Sequence, residues 1–121
     1  MQPFGKKEDE KDDDYVIEDT AIVYKATNGL VIITGCSHSG ICNIIEYAKK
    51  ITGESKIVDI IGGFHLLDPD ENQIKGTLDY FKKQNIKQIH SCHCTDLKSK
   101  IKLAGVVRVE DVGVGLKVEY N

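Results

Sequence analysis

Three times along this chain a run of aliphatic residues stops at a short loop carrying histidine, and a helical pattern follows. The segments are Ile32-Ile33-Thr34-Gly35-Cys36-Ser37-His38-Ser39-Gly40, Ile60-Ile61-Gly62-Gly63-Phe64-His65-Leu66 and Ile89-His90-Ser91-Cys92-His93-Cys94-Thr95. Strands that alternate with helices need crossover connections, which means a layered α/β domain with a partly parallel sheet. In such a sheet ligands bind beyond the carboxyl ends of the strands. Three strand-end loops on one edge would bring His38, His65 and His93 together. Neutral imidazoles converging on a point suit Zn²⁺ or another borderline ion. The loop glycines let the backbone turn sharply and come close to such a site.

The remaining elements follow from periodicity and punctuation. Ala21–Lys25 and Leu30–Thr34 read as strands joined in a hairpin about Thr27-Asn28-Gly29, where Asn-Gly tolerates positive φ. Leu30-Val31-Ile32-Ile33 is continuously apolar, so this strand is expected to be buried on both faces. Ile41, Ile44, Ile45, Ala48 and Ile51 form one helical stripe that ends at Gly53. Ile57–Ile61 is the next strand. Asp68 is expected to cap a second helix, with Pro69 in its first turn, Glu71 completing a capping box, and Ile74, Leu78 and Phe81 facing inward. Ile86–Ser91 is a third buried strand. Thr95 is expected to cap a last short helix that packs through Leu97, Ile101 and Ala104. Val106–Val109 and Val114–Tyr120 read as closing strands, and Tyr15–Ile17 as a weak leading one. The expected order is β-β-β-α-β-α-β-α-β-β, a mixed sheet with helices on one face.

Residues 1–14 lack periodicity and mix both charge signs, so they read as a disordered tail ahead of one domain over residues 15–121. A chain of 121 residues fills one core and not two. Its net charge of −3 leaves no basic face for nucleic acid. No apolar run approaches the roughly 20 residues that span a bilayer, and the polar start is no secretory signal. A cytoplasmic location is the expectation. There, Cys36, Cys42, Cys92 and Cys94 are better read as metal ligands or buried thiols than as disulfides.

Several residues have plainer readings. His90 lies inside a strand and reads as structural. Cys92 and Cys94 share a strand face opposite His93; with Cys36 they could build a thiolate-rich zinc site, or they are small buried hydrophobes. Gly35–Gly40 ahead of a helix could cradle phosphate or a nucleotide, but the Gly-Lys-Ser/Thr ending of a P-loop is missing. Cys36 or Ser37 could act as a nucleophile, yet no Gly-x-Ser-x-Gly elbow surrounds them.

The clusters, in this order and spacing, resemble the C-terminal half of a metallo-β-lactamase-superfamily protein. The similar subgroup is the dihydropterin ribofuranosyl-aminobenzene-phosphate synthase or metal-dependent hydrolase group. Asp19-Thr20-Ala21-Ile22-Val23 with Gly29 through Ile41 resembles the third metal motif. Ile61-Gly62-Gly63-Phe64-His65-Leu66 resembles the fourth, where this subgroup has His and most of the superfamily has Asp. His93-Cys94-Thr95 resembles the fifth, and Val112–Val118 the closing strands. The resemblance covers roughly residues 13–121. It implies half of a four-layer αββα sandwich, with His38, His65 and His93 as ligands to one or two Zn²⁺, Mn²⁺ or Fe²⁺ ions. It also implies hydrolysis of a phosphoester-type bond in a small-molecule substrate by metal-activated water. The His-x-His-x-Asp-His signature of the other half is absent from the chain. A single half would expose an apolar sheet face, so a separately encoded N-terminal half or a second copy of this chain is the expected partner. A truncated gene product, a non-catalytic homodimeric metal-binding domain and a phosphate-responsive module are the other readings the sequence leaves open.

Overall fold

The computed structural model describes residues 19–121, together with the backbone of a short antiparallel pairing ahead of them, β1 (Gly5–Lys6) with β2 (Asp13–Asp14). The rest of the expected tail over residues 1–14 and the expected strand Tyr15–Ile17 lie outside the described residues.

The main sheet has five strands: β3 (Ala21–Ala26), β4 (Gly29–Thr34), β5 (Ile57–Gly62), β6 (Ile86–Ser91) and β7 (Arg108–Val109), in that spatial order. β3 and β4 form the expected antiparallel hairpin, and the remaining pairs are parallel. Helices α1 (Ile41–Thr52), α2 (Glu71–Lys83) and α3 (Leu97–Ala104) make the three crossovers. Each crossover steps the same way across the sheet, so right-handed connections put all three helices on one face. Leu30, Ile32, Ile57, Ile60 and Ile89 meet Ile41, Ile45 and Ala48 of α1, Ile74 and Phe81 of α2 and Leu103 of α3 in one core. The mixed α/β architecture expected from the sequence is therefore present. Among the described residues no helix is long and apolar enough to cross a membrane.

The other sheet face is only partly covered. Ile22 pairs with Ile33 and Tyr24 with Val31 across the hairpin, which sets these side chains side by side on that face. Ile22 is 64%, Tyr24 48% and Ile33 42% exposed. Val31 is fully buried, so the expected two-sided burial of β4 stops at Ile33. Towards β6 the same face carries a buried polar knot. Asp59 accepts from Gln88 Nε2 at 3.1 Å and from Tyr120 OH at 2.5 Å, and His90 Nδ1 lies 2.9 Å from its Oδ1. His90 is thus structural, as its place inside a strand implied.

Several local expectations shift. The hairpin turn is Thr27-Asn28, and Gly29 (φ 139) already pairs with Ala26, one residue earlier than Asn-Gly suggested. The cap of α2 is Asp70, whose Oδ1 accepts from Gln73 N at 2.7 Å; Asp68 instead adopts φ 44 outside the helix, with Pro69 ahead of the cap. The cap of α3 is Asp96, accepting from Ser99 N at 2.7 Å. Thr95 is turned inward and takes the amide of Phe64 at 3.0 Å. The packed face of α3 also differs from the expected one: Ser99 and Leu103 are buried, while Leu97 and Ile101 are 71% and 64% exposed. Ile51, expected on the buried stripe of α1, is 59% exposed. The two expected closing strands reduce to Arg108–Val109; Val114–Tyr120 forms no ladder with either edge strand, β3 or β7. Its backbone instead lies against the hairpin, with Thr27 N donating to Asn121 O at 2.7 Å.

Asp70→Ala is expected to lower the stability of the chain by about 1 kcal/mol through loss of this cap. A urea melt checks this, as a lower midpoint at unchanged slope.

Candidate metal centre

Because β4, β5 and β6 run parallel, the three loops that follow them leave the sheet at one edge. The loops are laced together by their backbones. Gly63 N donates to Gly35 O, Cys92 N to Gly62 O, and Leu66 N to Cys94 O, each at 2.8 Å. Ser37 is fully buried and donates from Oγ to Gly63 O at 2.6 Å. This places Ser37 in the scaffold rather than in the role of a nucleophile. Among the described residues four non-glycines have positive φ: Ser37 (63°), His65 (54°), Asp68 (44°) and Cys94 (50°). Three of the four lie in the histidine loops. Left-handed backbone costs an L-residue about 1–2 kcal/mol, and it persists only where the surroundings impose it.

Gly62 and Gly63 explain how the loops come so close. A Cβ on Gly62 (φ 146) would sit 2.2 Å from Thr34 O. One on Gly63 would sit 2.3 Å from Cys94 Sγ and 2.6 Å from His93 O. Only hydrogen fits at either position.

The structure places His38, His65 and His93 as two groups on this edge. The rings of His38 and His65 meet edge to face, with centroids 5.1 Å apart. Burial holds the His65 pKa below its ordinary value, the charge of His38 adds to this, and the carboxylate of Asp19 opposes it. Gln73 Nε2 donates to His65 O at 3.1 Å and fixes that loop to α2. The exposed His93 faces Cys36 instead, with Nε2 2.9 Å from Cys36 Sγ. Cys94 Sγ donates to Cys36 O at 3.3 Å. Burial pushes the Cys94 thiol up to about 11. Among the described residues Cys36, His93 and Cys94 have donor atoms within 4.8 Å of one another. Cys92 donates to His90 O at 3.4 Å and lies outside that group.

Two features were not foreseen from the sequence. A groove of about 670 Å³ opens beside His38 and His65, walled by Phe64, Leu67, Gln73 and Thr77. Asp19 holds the start of α1: its Oδ2 accepts from Ser39 N at 3.2 Å and from Ser39 Oγ at 2.9 Å. An acidic side chain thus stands where a phosphate at Gly35–Gly40 would have to sit, and it leaves that reading without a positive cradle. Asp19 stands 19 residues upstream of His38; the family resemblance groups the two segments, but the bond to Ser39 is visible only in the structure.

A search of known proteins found relatives for part of this chain. Over 87 residues it is 38% identical to the 7,8-dihydropterin-6-methyl-4-(beta-D-ribofuranosyl)-aminobenzene-5'-phosphate synthase of Methanocaldococcus jannaschii, covering 72% of this chain and 30% of that protein. It is 42% identical over 91 residues to an uncharacterized protein of the same organism, covering 75% of this chain and 32% of that one. Among solved structures, it superposes with a TM-score of 0.76 and 33% identity on a metal-dependent hydrolase of the beta-lactamase superfamily. That match covers 82% of this chain and 39% of the other. The chain therefore spans about a third of the length of the relatives it matches. No family model matches it.

Proposed function

From a chain that has the fold and sequence of a metallo-β-lactamase-superfamily half-domain over most of its length, we propose that it forms one side of a metal-dependent hydrolase centre. His38, His65 and His93 are its ligands in this reading. The observation that carries it is the His38–His65 pair at the carboxyl edge of the sheet, with His93 on the adjoining loop.

The imidazoles of His38 and His65 are donors of the kind that a divalent ion such as Zn²⁺, Mn²⁺ or Fe²⁺ takes, and His93 would have to turn from Cys36 to join them. His65 is held neutral by burial, so its lone pair is available near neutral pH. When bound, such an ion supplies Lewis acidity and lowers the pKa of water. The chain's own contribution is position. Gln73 anchors the His65 loop, and Ser37 and Thr34 brace the His38 loop. The adjoining groove has the size of a small-molecule site. A phosphoester-type substrate is the proposed occupant. The remaining donors come from an N-terminal half that covers the exposed Ile22, Tyr24 and Ile33.

The test mixes this chain with a candidate N-terminal half and assays phosphodiesterase activity with added Zn²⁺ or Mn²⁺. Activity only in the mixture, lost in His38→Ala and His65→Ala, is the expected result. Those variants should also lower metal affinity at least about tenfold. No gain on mixing would sink the split-enzyme reading. A metal-loaded dimer without activity would favour a homodimeric metal-binding domain covering the same open face.

A further inference from the structure

The triad of Cys36, His93 and Cys94 is built from two loops and is independent of the His38–His65 pair. We propose that these three side chains form a thiolate-containing zinc site, which the chain can fill by itself. His93 is common to this site and to the hydrolase reading, but the inference does not rest on that reading.

Three observations carry it. First, the Sγ atoms of Cys36 and Cys94 and a ring nitrogen of His93 all lie within 4.8 Å of one another. Around a tetrahedral ion, Zn–S distances of about 2.3 Å and Zn–N distances of about 2.0 Å place donors roughly 3.5–4 Å apart. The cluster therefore needs only small side-chain rotations, chiefly to open the 2.9 Å contact between Cys36 and His93. Second, the backbone is shaped to present Cys94. It takes φ 50, and Gly63 leaves room for its sulfur where a Cβ would come within 2.3 Å. Third, neither cysteine is in a disulfide, and their loops are fixed to each other through Gly63 N to Gly35 O and Leu66 N to Cys94 O. Two thiolates and an imidazole select Zn²⁺ over Mn²⁺ or Mg²⁺. On binding, both thiols release their protons to solvent and His93 gives a neutral ring nitrogen. His93 is the exposed member of the three.

The test uses the full chain, reduced and stripped of metal, titrated with Co²⁺ as an optical stand-in for zinc. The expected result is one ion per chain with a thiolate-to-cobalt charge-transfer band, displaced by Zn²⁺. Cys36→Ser and Cys94→Ser should each lose most of the band and weaken binding at least tenfold. Cys92→Ser should keep it. Mass-spectrometric mapping of alkylation in the unaltered chain guards against misfolded variants: Zn²⁺ should protect Cys36 and Cys94 and leave Cys92 reactive. Absence of the band, equal alkylation of Cys36, Cys92 and Cys94 with zinc present, or a band that depends on Cys92 each overturns the proposal. Binding without a charge-transfer band that disappears in His38→Ala also overturns it, while leaving the three-imidazole hydrolase reading intact.

Discussion

Gly63→Ala is expected to disable the metal-binding edge and to lower the stability of the chain by about 3 kcal/mol, the upper end of the usual cost of overpacking. The added methyl would overlap Cys94 Sγ and the carbonyl of His93. Neither can retreat cheaply. The Cys94 carbonyl is bonded to Leu66 N, and the Gly63 amide is bonded to Gly35 O. Relief must come from separating the loops after β4, β5 and β6, and those loops carry all the candidate donors. Gly76→Ala is the matched control. It lies inside α2, where a Cβ meets nothing within 4 Å, so it should stabilise the chain by about 0.5–1 kcal/mol. The same chemical change therefore has opposite signs at the two positions. Urea melts of both variants, with Co²⁺ titrations, check the pair. A Gly63→Ala chain as stable and as competent for metal as its parent would refute the packing of this edge.

The second large effect is on the opposite side of the sheet. Asp59→Ala should cost about 3–5 kcal/mol, since each buried donor left without its acceptor costs about 1–3 kcal/mol. Asp59 is wholly inaccessible and receives Gln88, His90 and Tyr120. Its loss strands three donors, of which His90 is itself almost fully buried. Tyr120→Phe removes one donor and leaves the carboxylate its other two, so about 1 kcal/mol is expected. Partial burial, and after it the hydrogen bond to Asp59, raise the Tyr120 hydroxyl well above the ordinary tyrosine range, so it stays protonated throughout the accessible pH range. An Asp59→Ala chain within 1 kcal/mol of the parent in chemical denaturation would contradict this account.

The elements were largely legible because their signals are local. The 3.6 spacing of Ile41, Ile45 and Ala48, the aliphatic runs at Leu30, Ile57 and Ile86, and Gly53 at the helix end each depend on a handful of neighbouring residues. Caps were misplaced by one or two positions. Asp68 and Asp70, or Thr95 and Asp96, are equally good acceptors in the sequence, and the tertiary bonds of Thr95 to Phe64 N and of Asp68 N to Asp96 decide between them. The buried side of α3 was misassigned by two residues, about 200° of helix, because its apolar residues lie on more than one face: Leu97 and Ile101 are exposed while Leu103 is buried. Val114–Tyr120 has strand-forming residues but forms no ladder with an edge strand, and a local pattern does not register whether a segment pairs.

By itself the sequence determined a parallel β-α layering, the edge at which the histidine loops emerge, and a family resemblance that sequence and fold comparisons support. Strand direction and crossover handedness are enough to fix these. Only the tertiary structure decided which donors meet: His38 with His65, His93 with Cys36 and Cys94, and Asp59 with Tyr120. Apart from the adjacent His93 and Cys94, those pairings link residues 27 to 61 positions apart. They turn on a few left-handed residues and on glycine-sized gaps between loops, where a fraction of an ångström decides contact and no local periodicity records the outcome.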